Sequence, residues 1–373
     1  MDLAFYQQLT DDSLAGRELD DATCQRILTD PGLDVLPLVT AAFAVRKTHW
    51  GMRVQVHILN NAQNGNCPED CSYCTQARSS TTEIHDYPLK SDEEILAEAE
   101  RAAAGGAHRY CMVFAGRGPS DRRTQHLARL VRTIKERYPI EVCVSTGLLD
   151  EAKAKLLADA GLDRLNHNLN TSRSRYASIC TTHTYDDRLN TLRAAQAAGL
   201  QLCSGLIAGM GETPAELIEI AKTLRGLHVQ SIPINFLLPF EGNALPQPTG
   251  LSPQYCLRIL CLFRFLHPKS EVRTAAGREF HLRGLEVLSL YVANSLFLDG
   301  YLNGRGSLRR QTYQMLLDAG FTIESEHPLD KLLEQSDEAP DSAAACVPAA
   351  PIPLTIQGSA PIKSLPELRP TRH

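Results

Sequence analysis

Between about residues 52 and 327 the chain alternates β-rich runs with stretches of helical periodicity, and the alternation occurs eight times. The runs are VQVHILN (54–60), RYCMVFAG (109–116), EVCVSTG (141–147), RLNHNLN (164–170), QLCSGLIAGM (201–210), SIPINFLLP (231–239), EVRTAAG (271–277) and SLFLDG (295–300). Helix boundaries follow them: Ser91 opens SDEEILAEAERAAAGG with acids in the first turn, and Pro214 stands just inside TPAELIEIAKTLRGL. Strand then helix, eight times in one block, predicts an α/β chain folded as a TIM-type (β/α)8 barrel, whose sites lie at the C-terminal ends of the strands. A doubly wound open sheet is the alternative arrangement.

The flanks differ from this block. Residues 1–51 read as an N-terminal helical extension, since LDVLPLVTAAFAVRKTHW places apolar residues at helical spacing. Residues 328–373 turn rich in Pro, Ala and Ser and are expected to be a low-complexity, disordered tail. The barrel is expected over 52–327.

A formal net charge of -5 gives no field that would draw the chain to nucleic acid or to an anionic membrane surface. No run approaches the roughly 18 apolar residues of a spanning helix, and the acidic start is unlike a signal peptide, so the expectation is a cytoplasmic enzyme of a small substrate. In a reducing compartment, eleven cysteines, an odd number, point to metal ligation rather than a disulfide framework.

In GNCPEDCSYCTQA the cysteines Cys67, Cys71 and Cys74 fall at i, i+4 and i+7, directly after the first strand run. Thiolates are the usual ligands of iron–sulfur clusters, and three of them leave one iron of a four-iron cluster open. Zinc is the rival metal, but structural zinc takes four ligands in paired spacing and no second pair follows here. CxxxCxxC after a first barrel strand resembles the radical S-adenosylmethionine superfamily. The resemblance implies a 4Fe-4S cluster whose open iron chelates S-adenosylmethionine, reductive cleavage to a 5′-deoxyadenosyl radical, and contact of the Tyr73 ring with adenine.

Three further cysteines, Cys111, Cys143 and Cys203, sit in separate strand runs and converge if those strands line one barrel. Each alone reads equally as a small buried hydrophobe. With their flanks, RYCM, EVCVSTG, LNHNLNTS, QLCSGLIAGMGET, PINFL and VRTAAGRE match in order segments of the biotin synthase family, as does CPEDCSYCTQ, so the likeness spans roughly residues 52–300.

This resemblance implies that Cys111, Cys143, Cys203 and Arg273 hold a 2Fe-2S cluster that donates sulfur, with dethiobiotin as substrate and biotin as product. Arginine is normally protonated, so Arg273 is an unusual ligand on chemical grounds. The resemblance also assigns Asn168, Asn170 and Arg188 to S-adenosylmethionine, and Asn166, Asn168 and Asn235 to the substrate. A flavodoxin- or ferredoxin-like reductant and a homodimer are further implications.

Asn170 departs from the family pattern, which has aspartate there, and weaker cofactor binding is the expected result. HILNNAQNGN and VFAGRGPSD also differ, without removing a ligand. GLIAGMGET lacks the Lys-Ser/Thr of a phosphate loop, so its glycines are expected to let backbone approach the adenosyl group. Cys24, Cys180, Cys256, Cys261 and Cys346 are expected to be packed or exposed without a role. Two other readings compete: a barrel relative such as a hydrogenase-cofactor maturation protein, and a non-catalytic iron–sulfur or zinc scaffold.

Overall fold

A computed structural model describes residues 2–245, 247–304 and 306–336. Its central feature is a closed parallel barrel. Strand β1 (Arg53–Gln63) pairs with β2 (Arg109–Phe114), β2 with β3 (Glu141–Ser145), β3 with β4 (Arg164–Asn166), and β4 with β5 (Gln201–Cys203). β5 stops at Cys203, β6 (Leu206–Ala208) resumes its course, and both pair with β7 (Ser231–Phe236). β8 (Glu271–Thr274) and β9 (Ser295–Phe297) complete the circuit, with β9 returning to β1. A short β10 (Thr322–Ile323) adds to the beginning of β1. The closed path excludes the open doubly wound sheet.

Seven of the eight expected runs outlast the strands that form, and for two of them backbone geometry shows why. The run 201–210 breaks because Gly205 is crowded: a Cβ there would lie 1.8 Å from the Pro233 carbonyl oxygen on β7. The run 164–170 pairs only as far as Asn166; Asn170 turns to φ 68°, a left-handed conformation that asparagine tolerates, and bridges to Leu206. The loops at the C-terminal ends of these strands therefore begin earlier than hydrophobicity alone predicts.

The outer helices start where their sequences say they should. Reciprocal capping boxes close the first turns at Ser91 with Glu94, Thr184 with Asp187, and Thr213 with Glu216, the last with Pro214 in the first turn. The N-terminal helices Leu3–Leu14, Asp21–Thr29 and Val35–Trp50 lie at the end where strands begin. There the Ser13 hydroxyl donates to the Phe265 carbonyl at 2.7 Å, and fully buried Arg46 donates to the carbonyls of Arg53 and Ala293 at 2.7 and 3.2 Å.

The stretch expected to open the tail is instead partly structured. Leu329–Gln335 forms a helix whose Leu329 and Leu332 bury against Val54, Leu316 and Phe321, apolar contact that composition alone understates. Residues 337–373, including Cys346, lie outside the described residues. Among the described residues, no helix is long and apolar enough to cross a membrane.

Candidate functional site

A cavity of about 250 Å³ opens at the C-terminal ends of the strands and is lined by Cys67, Cys71, Tyr73, Cys74, Asn166, Asn168, Asn170, Arg188 and Asn235, among others. Its rim is the loop after β1, which coils through two successive tight turns: Cys74 N–H donates to the Cys71 carbonyl at 3.0 Å and Ala77 N–H to the Cys74 carbonyl at 3.1 Å. The Cys67 N–H closes the coil on the Gln76 carbonyl at 3.3 Å. This folding back is what CxxxCxxC spacing permits, and it turns three thiols toward one region. The rim is pinned from outside by Asn303, whose amide donates to Thr75 at 2.9 Å and to Asn64 at 3.1 Å.

Burial raises the Cys74 thiol to about 11, and for Cys71 the hydrogen bond with Cys180 comes before burial in raising it. Neither environment favours a bare thiolate, so a cationic metal centre is the natural neutraliser of this set.

Arg188, from helix Tyr185–Ala197, reaches into the cavity and is only 8% exposed. It donates to the Asn168 carbonyl at 2.7 Å, to His183 Nε2 at 2.9 Å, to the Tyr73 hydroxyl at 3.3 Å and to the Tyr176 hydroxyl. Burial alone would lower its pKa; the surrounding Tyr73, Tyr176 and Cys71 raise it, keeping it a cation. The Asn170 amide also donates to Tyr73, so this hydroxyl is held by two elements at once. A fixed cation beside the three-cysteine rim suits a carboxylate ligand.

The amide oxygen of Asn168 accepts from Gly205 N–H at 3.0 Å and from the Asn166 amide at 3.3 Å. Asn235 spans a strand gap, donating to the Leu206 carbonyl at 3.0 Å and accepting from Ala276 N–H at 3.2 Å. Much of the hydrogen-bonding capacity of these amides thus fixes their own orientation. Gly205, one of the glycines expected to admit an adenosyl group, is required instead by the close approach of β7.

Below the cavity floor, strand register brings the second cysteine set together. Cys111 and Cys143 are cross-strand neighbours, and Cys203 stands opposite Asn166 and Ser231. With Ala275 and Phe297 they form a buried cluster, against which Tyr301 packs. Cys143 stands between the other two thiols, and its interaction with them lowers Cys111 and Cys203, with the Arg273 cation assisting, while Cys143 itself is pushed up. Two thiols biased toward thiolate beside a third, all buried, are a donor set that fits a small iron–sulfur cluster.

Arg273, 1% exposed, is gripped from beneath. Its Nε donates to Glu271 at 3.1 Å, and its Nη2 to Glu271 and to Ser231, the latter at 3.0 Å. Nη1 makes no hydrogen bond among the described residues. Glu271 also accepts from Arg109 at 2.9 Å and Ser295 at 2.8 Å, and the His57 ring lies 2.9 Å from it. Burial pushes the Glu271 carboxyl up, but Arg109, Arg273 and His57 outweigh it and hold it well below the carboxylate range. This ion-paired floor explains how a charged arginine can be held fully buried among the barrel strands.

Comparison with known proteins identifies the family. The description "Radical SAM superfamily" matches residues 64–224 and "Biotin and Thiamin Synthesis associated domain" matches 233–322. A biotin synthase from Magnetococcus marinus is 55% identical over 312 residues, which is 84% of this chain and 97% of that protein. The chain belongs to the biotin synthase family. Other biotin synthases, from Acaryochloris marina and Bacillus subtilis, are 54% and 44% identical, over 83% and 86% of this chain and 89% and 96% of their own lengths. Among solved structures, methylornithine synthase gives a TM-score of 0.74 at 22% identity, covering 88% of this chain and 99% of that one. The FeFe-hydrogenase maturase HydG from Carboxydothermus hydrogenoformans gives 0.73 at 19%, covering 88% of this chain and 81% of that one, so both speak to the fold alone.

Membership in this radical family implies a 4Fe-4S cluster and S-adenosylmethionine. Several lining residues of this biotin synthase family member were not legible in its sequence: Glu69, His167, His183 and Tyr301. The Nε2 of His167 is buried without a partner. Cys180, which the sequence leaves without a role, stands 3.8 Å from Cys71. Its spacing of three residues from His183 was the available signal.

Proposed function

We propose that this chain inserts sulfur into dethiobiotin to form biotin, with S-adenosylmethionine bound at the Cys67, Cys71 and Cys74 rim and a 2Fe-2S cluster held by Cys111, Cys143, Cys203 and Arg273. The single observation that carries this reading is vertical order within one lumen. Tyr301 lines the cavity together with Cys67, Cys71 and Cys74 and packs from the other side against the buried Cys111, Cys143 and Cys203 cluster, so both cysteine sets border one lumen. When bound, the rim cluster supplies the electron that makes an adenosyl radical and the interior cluster supplies the sulfur.

The protein's own residues then have to bind, orient and exclude. Arg188 offers a guanidinium to the methionyl carboxylate, and the Tyr73 ring, fixed through its hydroxyl, offers a face to adenine. Asn166, Asn168 and Asn235 present amides that both donate and accept, as a ureido ring requires. Phe114, Leu238 and Phe240 line the cavity and keep water from a radical that attacks any nearby C–H. All ten cysteines among the described residues are free thiols, which supports a reducing, cytoplasmic setting. A flavodoxin- or ferredoxin-like reductant and a homodimer belong to the same proposal, on the family resemblance.

Anaerobic reconstitution tests it. Iron and sulfide are counted per chain, and reductant, S-adenosylmethionine and dethiobiotin are added. Deoxyadenosine together with biotin is the expected result. Deoxyadenosine without biotin would point to a different substrate, and neither product to a non-catalytic scaffold.

A further inference from the structure

We propose that Cys71, Cys180 and His183 form a second metal site, which takes one divalent ion of the zinc or ferrous class when the rim carries no iron–sulfur cluster. The three side chains come from two segments, the loop after β1 and the stretch following helix Arg173–Ile179, and their ligand atoms lie within 4.8 Å of one another. Cys71 is 9%, Cys180 4% and His183 7% exposed.

The spacing is that of a tetrahedral site. Metal–sulfur bonds of about 2.3 Å and metal–nitrogen bonds of about 2.0 Å set two thiolates about 3.8 Å apart, and a thiolate and an imidazole nitrogen about 3.5 Å apart. The Cys71 and Cys180 sulfurs are 3.8 Å apart, and the Cys180 sulfur lies 3.8 Å from His183 Nε2 and 3.3 Å from Nδ1. Glu69 binds the His183 Nδ1 edge, an arrangement that fixes the tautomer and leaves Nε2 as the ligand atom, as carboxylates do behind metal-bound histidines. Arg188 donates to that nitrogen at 2.9 Å and retains the Asn168 carbonyl, Tyr73 and Tyr176 as acceptors when it gives the nitrogen up. Asp70, accepting from the Cys180 thiol at 3.3 Å and from Thr181 N–H at 2.9 Å, anchors Cys180 to the rim loop. Three protein ligands leave a fourth position for water.

The site and the rim cluster both claim Cys71, so they exclude one another. That exclusivity rests on the assignment of Cys71 to the rim cluster; the site itself does not. It gives the enzyme a metal-bound resting form in which Cys71 is engaged and radical generation is off.

The test is an anaerobic titration of cobalt(II) into the full chain after its clusters are removed by chelation under reducing conditions. The expected result is the ligand-field absorption of four-coordinate cobalt with thiolate charge transfer. It should persist in a Cys67→Ala, Cys74→Ala double variant and be lost, or require at least about tenfold more cobalt, in Cys180→Ser, with His183→Gln shifting the bands. Cobalt on Cys111, Cys143 and Cys203 is common to all variants and cancels in the differences. Circular dichroism confirms that each variant is folded, and Cys180→Ser keeps side-chain size and polarity. A spectrum that survives Cys180→Ser, or that disappears with Cys67 and Cys74, overturns the site. In the reconstituted enzyme, zinc uptake should begin only as the four-iron absorbance decays in air. Uptake without cluster loss overturns exclusivity. A four-iron cluster intact in Cys71→Ala shows instead that the ligand assignment, and not the site, has failed.

Discussion

The rim cysteines ride on a loop and the interior cysteines on strands, and the two sets differ in what holds them. Cys67, Cys71 and Cys74 owe their convergence to local turns within eight residues, with Cys67 and Cys74 partly exposed at the cavity mouth. Cys111, Cys143 and Cys203 are brought together by pairing of β2 with β3 and the packing around them, and stand on the Glu271 ion-pair floor. A loop site can leave one side of a metal centre open to a small molecule; a strand site encloses it. The same thiol chemistry thus serves two tasks.

The sharpest way to break this contrast is to empty one set and leave the other. Cys143→Ala should abolish biotin formation while the rim cluster still cleaves S-adenosylmethionine, read as deoxyadenosine released. Full biotin yield from that variant would sink the sulfur-donor role of the interior set. Cys74→Ala should do the converse, losing deoxyadenosine and biotin together while iron and sulfide for the interior cluster are retained on analysis.

Smaller changes sharpen it. Glu271→Gln takes a charge from a fully buried ion-pair network, a class of change that costs about 3–5 kcal/mol, and should shorten the life of the interior cluster without altering rim absorbance. Equal loss of both clusters would mean that the floor supports the barrel at large. Asn170→Asp should tighten S-adenosylmethionine binding by about 1 kcal/mol, roughly fivefold, through a charge-assisted bond, measured as the dissociation constant. No tightening would sink the idea that the amide at this position weakens cofactor binding.

Legibility followed the same division. The barrel was readable because eight strand–helix repeats leave a periodic trace, and the rim because its three ligands sit within one short segment. The interior set became specific only through family resemblance, since Cys111 and Cys143, 32 positions apart, become neighbours by register, while Cys203, a further 60 on, stands two strands away opposite Asn166. The strand break at Gly205 and the turn at Asn170 were hidden because both are set by a neighbouring strand. Glu271 and Tyr301 carried no motif, and Cys180 looked like any other packed thiol. The helix Leu329–Gln335 was masked by the composition that follows it.

Side chains on a strand alternate between two faces, so the Cys111 register has a meaning for inheritance as well as for chemistry. Loss of one codon upstream within β2 would turn Tyr110 or Met112 toward the lumen and Cys111 toward the helices. Substitutions can be selected one at a time, but a deletion of this kind exchanges a whole face in a single event. Length polymorphism should therefore gather in the loops between elements and be purged from the strands that carry the interior thiols.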